Sequence, residues 1–112
     1  MIISPYRNMS TARKDKALTD DELERVAQQF RLLGEPMRLK ILQVICAKPL
    51  TVNEIVAATG ATQSNVSKHL SLLASAGVIT RQKDAQFVYY CLSDPMTLKL
   101  CETVHSQLFE RN

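Results

Sequence analysis

The sequence predicts a mainly α-helical fold of five helices, with one small β-hairpin before the last helix. Two observations carry this prediction. Apolar residues recur at helical spacing through most of the chain, whereas residues 78–93 alternate apolar and polar side chains as a strand does. In addition, capping pairs at helix starts and glycine or proline at helix ends divide the helical part into separate segments.

Length and composition bound the class of protein. The chain has 112 residues, 46% of them hydrophobic, and is expected to fold as one domain around a single core. No stretch approaches the roughly 18 apolar residues of a membrane span, and the N-terminus lacks the apolar run of a signal peptide. We therefore expect a cytoplasmic protein with no membrane partner. The net charge of +3 is concentrated in residues 1–17 and 48–92, which permits nucleic-acid binding.

Residues 1–18 show no periodicity and are predicted to form a flexible basic tail, with the folded domain over residues 19–112. Thr19 and Glu22 form a capping box, in which each side chain binds a free backbone N–H at the helix start. Apolar residues at helical spacing then continue the first helix to about Leu33.

The second helix is predicted to start at Pro36, because proline at the first helical position loses no hydrogen bond, and to end at Lys48 and Pro49. The apolar residues predicted for its inner face are Leu39, Leu42, Ile45 and Cys46. A short third helix opens with a capping box of Thr51 and Glu54 and stops at Gly60.

The fourth helix, predicted from Thr62 to a stop at Gly77, has two different faces. At about 100° per residue, its large apolar side chains fall within one narrow arc: Val66, Leu70 and Leu73. The opposite face holds hydroxyls and one cation but no carboxylate: Ser64, Ser67, Lys68, Ser71 and Ser75. Solvated helix faces usually mix Glu with Lys, whereas an acid-free face suits phosphates and base edges. With the short helix before it, this helix completes a helix-turn-helix.

The segment after Gly77 is predicted to be a β-hairpin with the polar tip "QKDAQ" at residues 82–86. It brings Arg81 and Lys83 near the path of a nucleic-acid backbone and so forms a wing. Asp94 and Pro95 then suit the cap and first turn of a final helix. That helix carries an apolar stripe of Leu98, Cys101, Val104, His105 and Leu108.

Three segments, "LLGEPMRLKIL", "TVNEIVAATGATQSNVSKHLSLLASAGVI" and "RQKDAQFVYYCLSDP", resemble in order and spacing the ArsR family of bacterial winged-helix repressors. The resemblance covers about residues 20–110, and its most specific part is Ser64, Ser67, His69 and Leu70. It implies a cytoplasmic homodimer, paired through the first and last helices, that binds double-stranded operator DNA until an inducer releases it.

The resemblance also implies particular contacts. Contact with DNA is expected at Gln63, Ser64, Asn65, Ser67, Lys68 and Ser71 of the fourth helix and at Arg81 and Lys83 of the wing. Contact between subunits is expected at Leu23, Phe30, Leu98, Cys101, His105 and Leu108. His69, at the edge of the apolar arc, is interpreted as a partly buried packing residue rather than a base contact.

The metal sites of the resembling family are incomplete in this sequence. The positions of a Cys-x-Cys pair hold Val56 and Ala58. A second set, normally Asp, His, His and Glu or His, reads Asp94, Met96, Gln107 and Glu110. Both imidazoles are missing, and zinc prefers nitrogen or sulfur ligands. A metal site therefore stays undetermined, and a cofactor is expected to be a thiophilic ion or none.

Three cysteines, Cys46, Cys91 and Cys101, leave the inducer open. Packing explains each of them, because a free cysteine behaves as a small hydrophobic residue. In the alternative hypothesis, Cys91 and Cys101 meet at the strand-to-helix junction and bind arsenite or another thiophilic ion. Cys46 or the partner subunit then supplies a third thiolate, or a cysteine pair oxidises reversibly.

An enzyme and a protein-binding module are the two alternatives to DNA binding. The sequence contains no nucleophile elbow and no glycine-rich phosphate loop, and its two histidines lack an evident carboxylate partner, so an enzyme is not predicted. A winged-helix module that binds protein, without an inducer, is the competing interpretation. The acid-free face of the fourth helix favours DNA. The sequence determines neither the operator, nor the inducer, nor whether the regulator represses or activates.

Overall fold

The computed structural model describes residues 17–110, so that almost the whole predicted tail, residues 1–18, lies outside the described part. The described residues divide into two units, with the boundary between Arg31 and Leu32, inside the first helix. The described residues form five helices and one hairpin: α1 Asp20–Leu33, α2 Pro36–Ala47, α3 Val52–Thr59, α4 Gln63–Ser75, β1 Ile79–Asp84, β2 Phe87–Leu92 and α5 Pro95–Phe109. The predicted order of elements is thereby confirmed.

Both predicted capping boxes are present. At the start of α1, Thr19 N–H donates to the Glu22 carboxylate over 2.9 Å, and Glu22 N–H donates to the Thr19 hydroxyl over 3.1 Å. Thr51 and Glu54 make the same pair of bonds at the start of α3, over 2.9 and 3.2 Å. Each box satisfies two backbone donors that the helix itself leaves free, which explains why these helices begin where they do.

The other helix ends also follow their local signals. The Thr62 hydroxyl caps α4 by accepting a bond from Asn65 N–H over 3.2 Å, and the Asp94 carboxylate caps α5. Gly60 and Gly77 follow α3 and α4 with φ angles of +75° and +79°. This left-handed region costs glycine little, because glycine has no Cβ to collide with the backbone.

The core lies in the second unit, where α2, α3, α4 and the hairpin pack together. Its buried apolar residues are Leu33, Ile41, Leu42, Ile45, Leu50, Ile55, Val66, Leu70, Leu73, Val78 and Ile79. All but three of these residues, Leu33, Leu50 and Val78, lie in α2, α3, α4 or β1. The core therefore holds the two helices of the helix-turn-helix directly against α2 and the base of the hairpin.

The predicted inner face of α2 is wrong for two of its four residues. Leu42 and Ile45 are buried, but Leu39 is 40% exposed and Cys46 is exposed, whereas Ile41 is fully buried. At 100° per residue, Leu39 and Cys46 lie about 160° and 140° from Ile41 around the helix. The sequence contains two overlapping apolar arcs, and contacts with α3, α4 and β2 select the one centred between Ile41 and Leu42.

The hairpin pairs β1 and β2 antiparallel, from Ile79 opposite Leu92 to Asp84 opposite Phe87. Its tip is shorter than predicted: Gln82, Lys83 and Asp84 are paired in β1, and residues 85–86 alone connect the strands. Ladder hydrogen bonds join backbone groups, so polar side chains do not prevent pairing. Within β2, Tyr90 also exchanges backbone bonds of 2.7 and 3.2 Å with Leu50, which precedes α3.

Helix α5 is buried only near its start. Thr97 is 3% exposed and Cys101 is half-buried, whereas residues 102–110 are all exposed. None of the helices within residues 17–110 is long and apolar enough to cross a membrane. The exposed second half of α5 carries large apolar side chains, namely Val104, Leu108 and Phe109.

Candidate nucleic-acid interface

Helix α4 is fixed to the core by one face and exposes the other. Val66, Leu70 and Leu73 are at most 1% exposed, which confirms the predicted apolar arc. All six of the predicted DNA-contacting residues of this helix are exposed: Gln63, Ser64, Asn65, Ser67, Lys68 and Ser71. The fold therefore presents amides, hydroxyls and one ammonium group together on a broad surface of α4 that carries no carboxylate.

The turn between α3 and α4 is held by hydrogen bonds around Thr59, whose side chain is buried. The Thr59 hydroxyl donates to the Ile55 carbonyl over 2.8 Å and accepts from Ala61 N–H over 3.4 Å. Lys40 Nζ, on α2, donates to the Thr59 carbonyl over 3.2 Å. These bonds satisfy the end of α3 and restrain the three-residue connection, so that α4 starts in a defined direction.

The two cations predicted for the wing lie on the same face of the hairpin, because Arg81 and Lys83 are two residues apart in β1. Both side chains are exposed. The Arg81 guanidinium carbon is 6.0 Å from the centre of the Tyr90 ring, which is opposite it in the register. This cation–π contact orients the guanidinium group while leaving its donors accessible.

A polar cluster joins the start of α2 to α4, and the sequence patterns did not indicate it. His69 is 8% exposed, which confirms that it packs against the protein. Its Nδ1 accepts a bond from Arg38 Nε over 3.1 Å, and its Nε2 is 3.4 Å from Glu35 Oε2. Glu35 also caps α2, accepting bonds from Met37 and Arg38 N–H over 3.1 and 3.2 Å. The acid directly before Pro36 was the available signal, but Glu is not among the usual capping residues.

The pKa of the Glu35 carboxyl is lowered from its ordinary value of 4.5. The Met37 N–H is the largest cause; the Arg38 N–H and the Arg38 charge act in the same direction, as does the His69 ring when it is protonated, against the opposing effect of burial. The carboxylate is therefore the form that the start of α2 stabilises.

The three cysteines occupy different surroundings. Cys46 is exposed, and its S–H donates to the Gln43 carbonyl over 3.1 Å, whereas Cys91 and Cys101 are half-buried. Burial raises the pKa of the Cys101 thiol, which disfavours the thiolate that binds metals and oxidants. Residues 17–110 contain no group of three His, Cys, Asp or Glu side chains placed to hold a metal ion.

Residues of the incomplete family metal set have other partners. Asp94 accepts bonds from Met96 N–H over 3.0 Å and from the Thr97 hydroxyl over 2.9 Å, as a cap of α5. Glu110 Oε2 is 3.2 Å from His105 Nδ1, and the His105 ring lies against Phe109, 5.0 Å between centres.

The residues predicted for the subunit interface are mostly exposed in the single chain. On α1, Leu23 and Phe30 are 50% and 57% exposed. On α5, Leu98 and Leu108 are 40% and 63% exposed, His105 is exposed and Cys101 is half-buried. Each helix thus carries large apolar side chains that the other described residues, within 17–110, leave exposed, a property typical of surfaces that bind another protein.

Comparisons with known sequences match the part of the chain that carries the exposed face of α4. The family model described as "Bacterial regulatory protein, arsR family" matches residues 35–81. The probable mercury resistance operon repressor of Streptomyces lividans is 38% identical over 74 residues, which are 66% of this chain and 59% of that protein. The match therefore spans less than two thirds of that relative's length. The transcriptional repressor SdpR of Bacillus subtilis is 31% identical over 64 residues, 57% of this chain and 71% of SdpR.

Solved structures have the same fold. Rv0081 of Mycobacterium tuberculosis has a TM-score of 0.75 at 25% identity, covering 80% of this chain and 91% of that one. The homodimeric winged helix-turn-helix DNA-binding domain Mb0332 of Mycobacterium bovis has a TM-score of 0.70 at 22% identity, covering 99% and 93%. At this identity the second likeness is one of fold alone, and it confirms the predicted winged helix-turn-helix.

Proposed function

The chain belongs to the arsR family of bacterial regulatory proteins, and we propose from this that it is a sequence-specific, DNA-binding transcriptional regulator. The family is regulatory, in agreement with the prediction that the chain is not an enzyme. We further propose that the domain over residues 19–112 works in the cytoplasm as a homodimeric repressor, in line with the names of both sequence relatives as repressors.

The observation that carries the proposal is the exposed, acid-free face of α4 on a firmly seated helix. Ser64, Ser67 and the amides of the first turn are small donors and acceptors suited to base edges and phosphates in a major groove. Lys68 then binds phosphate, and Arg81 and Lys83 of the wing neutralise phosphates farther along the duplex. Because the apolar side of α4 is already buried, the protein has no need to refold in order to present these groups.

Dimerisation is proposed because one recognition helix, which is α4 in this chain, reads only one half-site of an operator. Two copies related by a two-fold axis place their recognition helices one DNA turn apart, about 34 Å. The uncovered apolar side chains of α1 and of α5 support a second copy as their partner. The homodimeric state named for the Mycobacterium bovis domain also supports this assembly.

Fluorescence anisotropy with DNA from the region upstream of this protein's own gene tests the proposal. Binding should weaken steeply with salt, because each neutralised phosphate releases counterions. Lys68→Ala should weaken binding and reduce the slope of log K against log salt by about 1. Lys99→Ala, a matched removal of an exposed lysine on α5, should change neither quantity.

The sequence preference provides a second arm of the same test. Ser64→Ala should alter affinity unequally across operator variants, because a base contact is typically worth about 1–3 kcal/mol at one position. A uniform loss would mean that Ser64 contacts the backbone. If the protein binds no DNA, or binds it without salt dependence, that result would instead favour the alternative function of a protein-interaction module.

We also propose that a thiol-directed inducer releases the DNA. The S. lividans relative is named for mercury resistance, and mercury is a thiophilic metal, which supports this class of inducer. Residues 17–110 of one chain bring together no group of three metal ligands. We therefore propose either that the inducer binds at a site formed by cysteines of both subunits, or that a cysteine pair forms a reversible disulfide. The DNA complex should be titrated with arsenite, zinc and a persulfide donor. A Cys91→Ser, Cys101→Ser double variant that responds like the wild type would refute the proposal.

A further inference from the structure

His69 stands apart from the other polar residues of α4 because it faces the protein interior. It lies between exposed Lys68 and buried Leu70, and its ring is directed at the start of α2. Both ring nitrogens have partners there, Arg38 at 3.1 Å and Glu35 at 3.4 Å. A histidine with both nitrogens engaged inside the protein is not available to read a base.

The chemistry of this cluster determines the form of the imidazole. Nδ1 accepts the Arg38 bond and therefore carries no proton, so the neutral ring holds its proton on Nε2, facing the Glu35 carboxylate. The same guanidinium donates through its terminal nitrogen to the Leu32 carbonyl over 3.1 Å, in the last turn of α1. Arg38 thus connects the end of α1 to α4.

Apolar contacts alone do not define the rotation of α4 about its own axis. Burial of Val66, Leu70 and Leu73 sets how deeply the helix sits, but the hydrophobic effect is not directional. A helix with its side chains is about 10–12 Å across, so a rotation of about 20° moves its outer groups by roughly 2 Å. That displacement exceeds the tolerance of a hydrogen bond to a base edge. The directional hydrogen bond from Arg38 to His69, beside the Glu35 carboxylate 3.4 Å from Nε2, opposes such a rotation.

We propose that Glu35, Arg38 and His69 form a polar clamp that holds α4 in the rotational position needed for operator recognition. His69 is a positioning residue in this assignment, acting through α4 without touching DNA. The clamp rests on the proposed DNA-binding function and specifies which interior groups that function requires. Through the single guanidinium group of Arg38, the clamp also links the last turn of α1 to α4.

The test compares His69→Leu with His69→Gln. Leucine removes both polar atoms, whereas a carboxamide offers one acceptor and one donor, as the neutral imidazole does. If only roughly a tenth of the His69→Leu molecules hold α4 in the rotation that binds the operator, affinity for the operator falls about tenfold. Affinity for unrelated DNA, which depends on phosphates, should change little. His69→Gln should restore operator affinity to within about twofold of the wild type.

A control separates positioning from general loss of stability. Ile45→Val opens a small cavity in the core, two turns along α2 from Arg38. This variant should keep the wild-type ratio of operator affinity to non-specific affinity. If it lowers that ratio as His69→Leu does, the effect is one of stability and the clamp is refuted. The folded fraction and dimer fraction of each variant are measured at the assay temperature.

Nitrogen NMR of the wild-type imidazole gives an outcome that does not depend on variants. The clamp requires the proton of the neutral His69 ring on Nε2, and a proton on Nδ1 overturns it.

The proposed DNA-binding function and the clamp fail in different ways. Wild-type protein that binds no upstream DNA refutes the proposed function and the recognition role with it. Wild-type protein that binds, beside a His69→Leu variant with unchanged operator affinity and selectivity, refutes the clamp alone.

Discussion

Replacement of Leu108 by Glu should separate the proposed dimer into single chains. Leu108 is 63% exposed on α5 and lies on its apolar stripe. Full burial of a leucine side chain contributes about 1.5–3 kcal/mol, so covering the exposed part contributes about 1–2 kcal/mol. Two-fold symmetry counts the residue twice, giving about 2–4 kcal/mol per dimer, or roughly 30- to 700-fold in Kd. Burying a carboxylate in place of the leucine adds to this loss.

Sedimentation equilibrium over a range of protein concentrations measures this dissociation constant directly. Met96→Glu is the matched control, because Met96 is 66% exposed on the same helix but about 120° around it from Leu108. We expect the control to dimerise like the wild type. A Leu108→Glu protein with the wild-type dissociation constant would refute the placement of the interface. Equal weakening by the two variants would refute the assignment of the helix face.

Three further predictions follow from single contacts. Glu35 should stabilise the fold above about pH 4.5, and this stabilisation should be lost as the pH falls through the lower pKa of the folded state, because the protonated acid is a weaker acceptor for the N–H groups of Met37 and Arg38. Thermal denaturation between about pH 6 and pH 3 should therefore vary less for Glu35→Gln than for the wild type, and identical profiles would contradict the cap. Iodoacetamide should modify exposed Cys46 before Cys101, whose pKa burial raises; peptide mass spectrometry would reveal equal rates if this is wrong. Thr51→Ala should cost about 1 kcal/mol in urea denaturation while Thr51→Ser costs less, and equal costs would argue against the hydroxyl bond.

The helix boundaries were predictable because their causes are local. The capping boxes at Thr19 and Thr51 close over three residues, and Gly60 and Gly77 act through their own backbone angles. The exposed face of α4 was predictable for a related reason. Its apolar residues form a single narrow arc, so burying that arc leaves the opposite face to solvent or a ligand, even before the finer rotation of the helix is set.

Patterns that allow more than one solution were decided by packing. The apolar residues of α2 permit two overlapping arcs, and the neighbouring helices and β2 bury Ile41 rather than Leu39 or Cys46. The hairpin tip is two residues long instead of five, because backbone pairing extends through Gln82, Lys83 and Asp84 despite their polarity. In both cases the deciding contacts come from other segments of the chain.

By itself the sequence determined the order of elements, both capping boxes, the polar surface of α4 and the family to which the chain belongs. Only the tertiary structure brought His69 to Arg38, 31 residues earlier in the chain, and to the carboxylate that caps α2. A helix cap or an amphipathic period acts within one or two turns, so the residues that produce it are close together in the sequence. A hydrogen bond between distant side chains exists only after the core has set the distance between their helices.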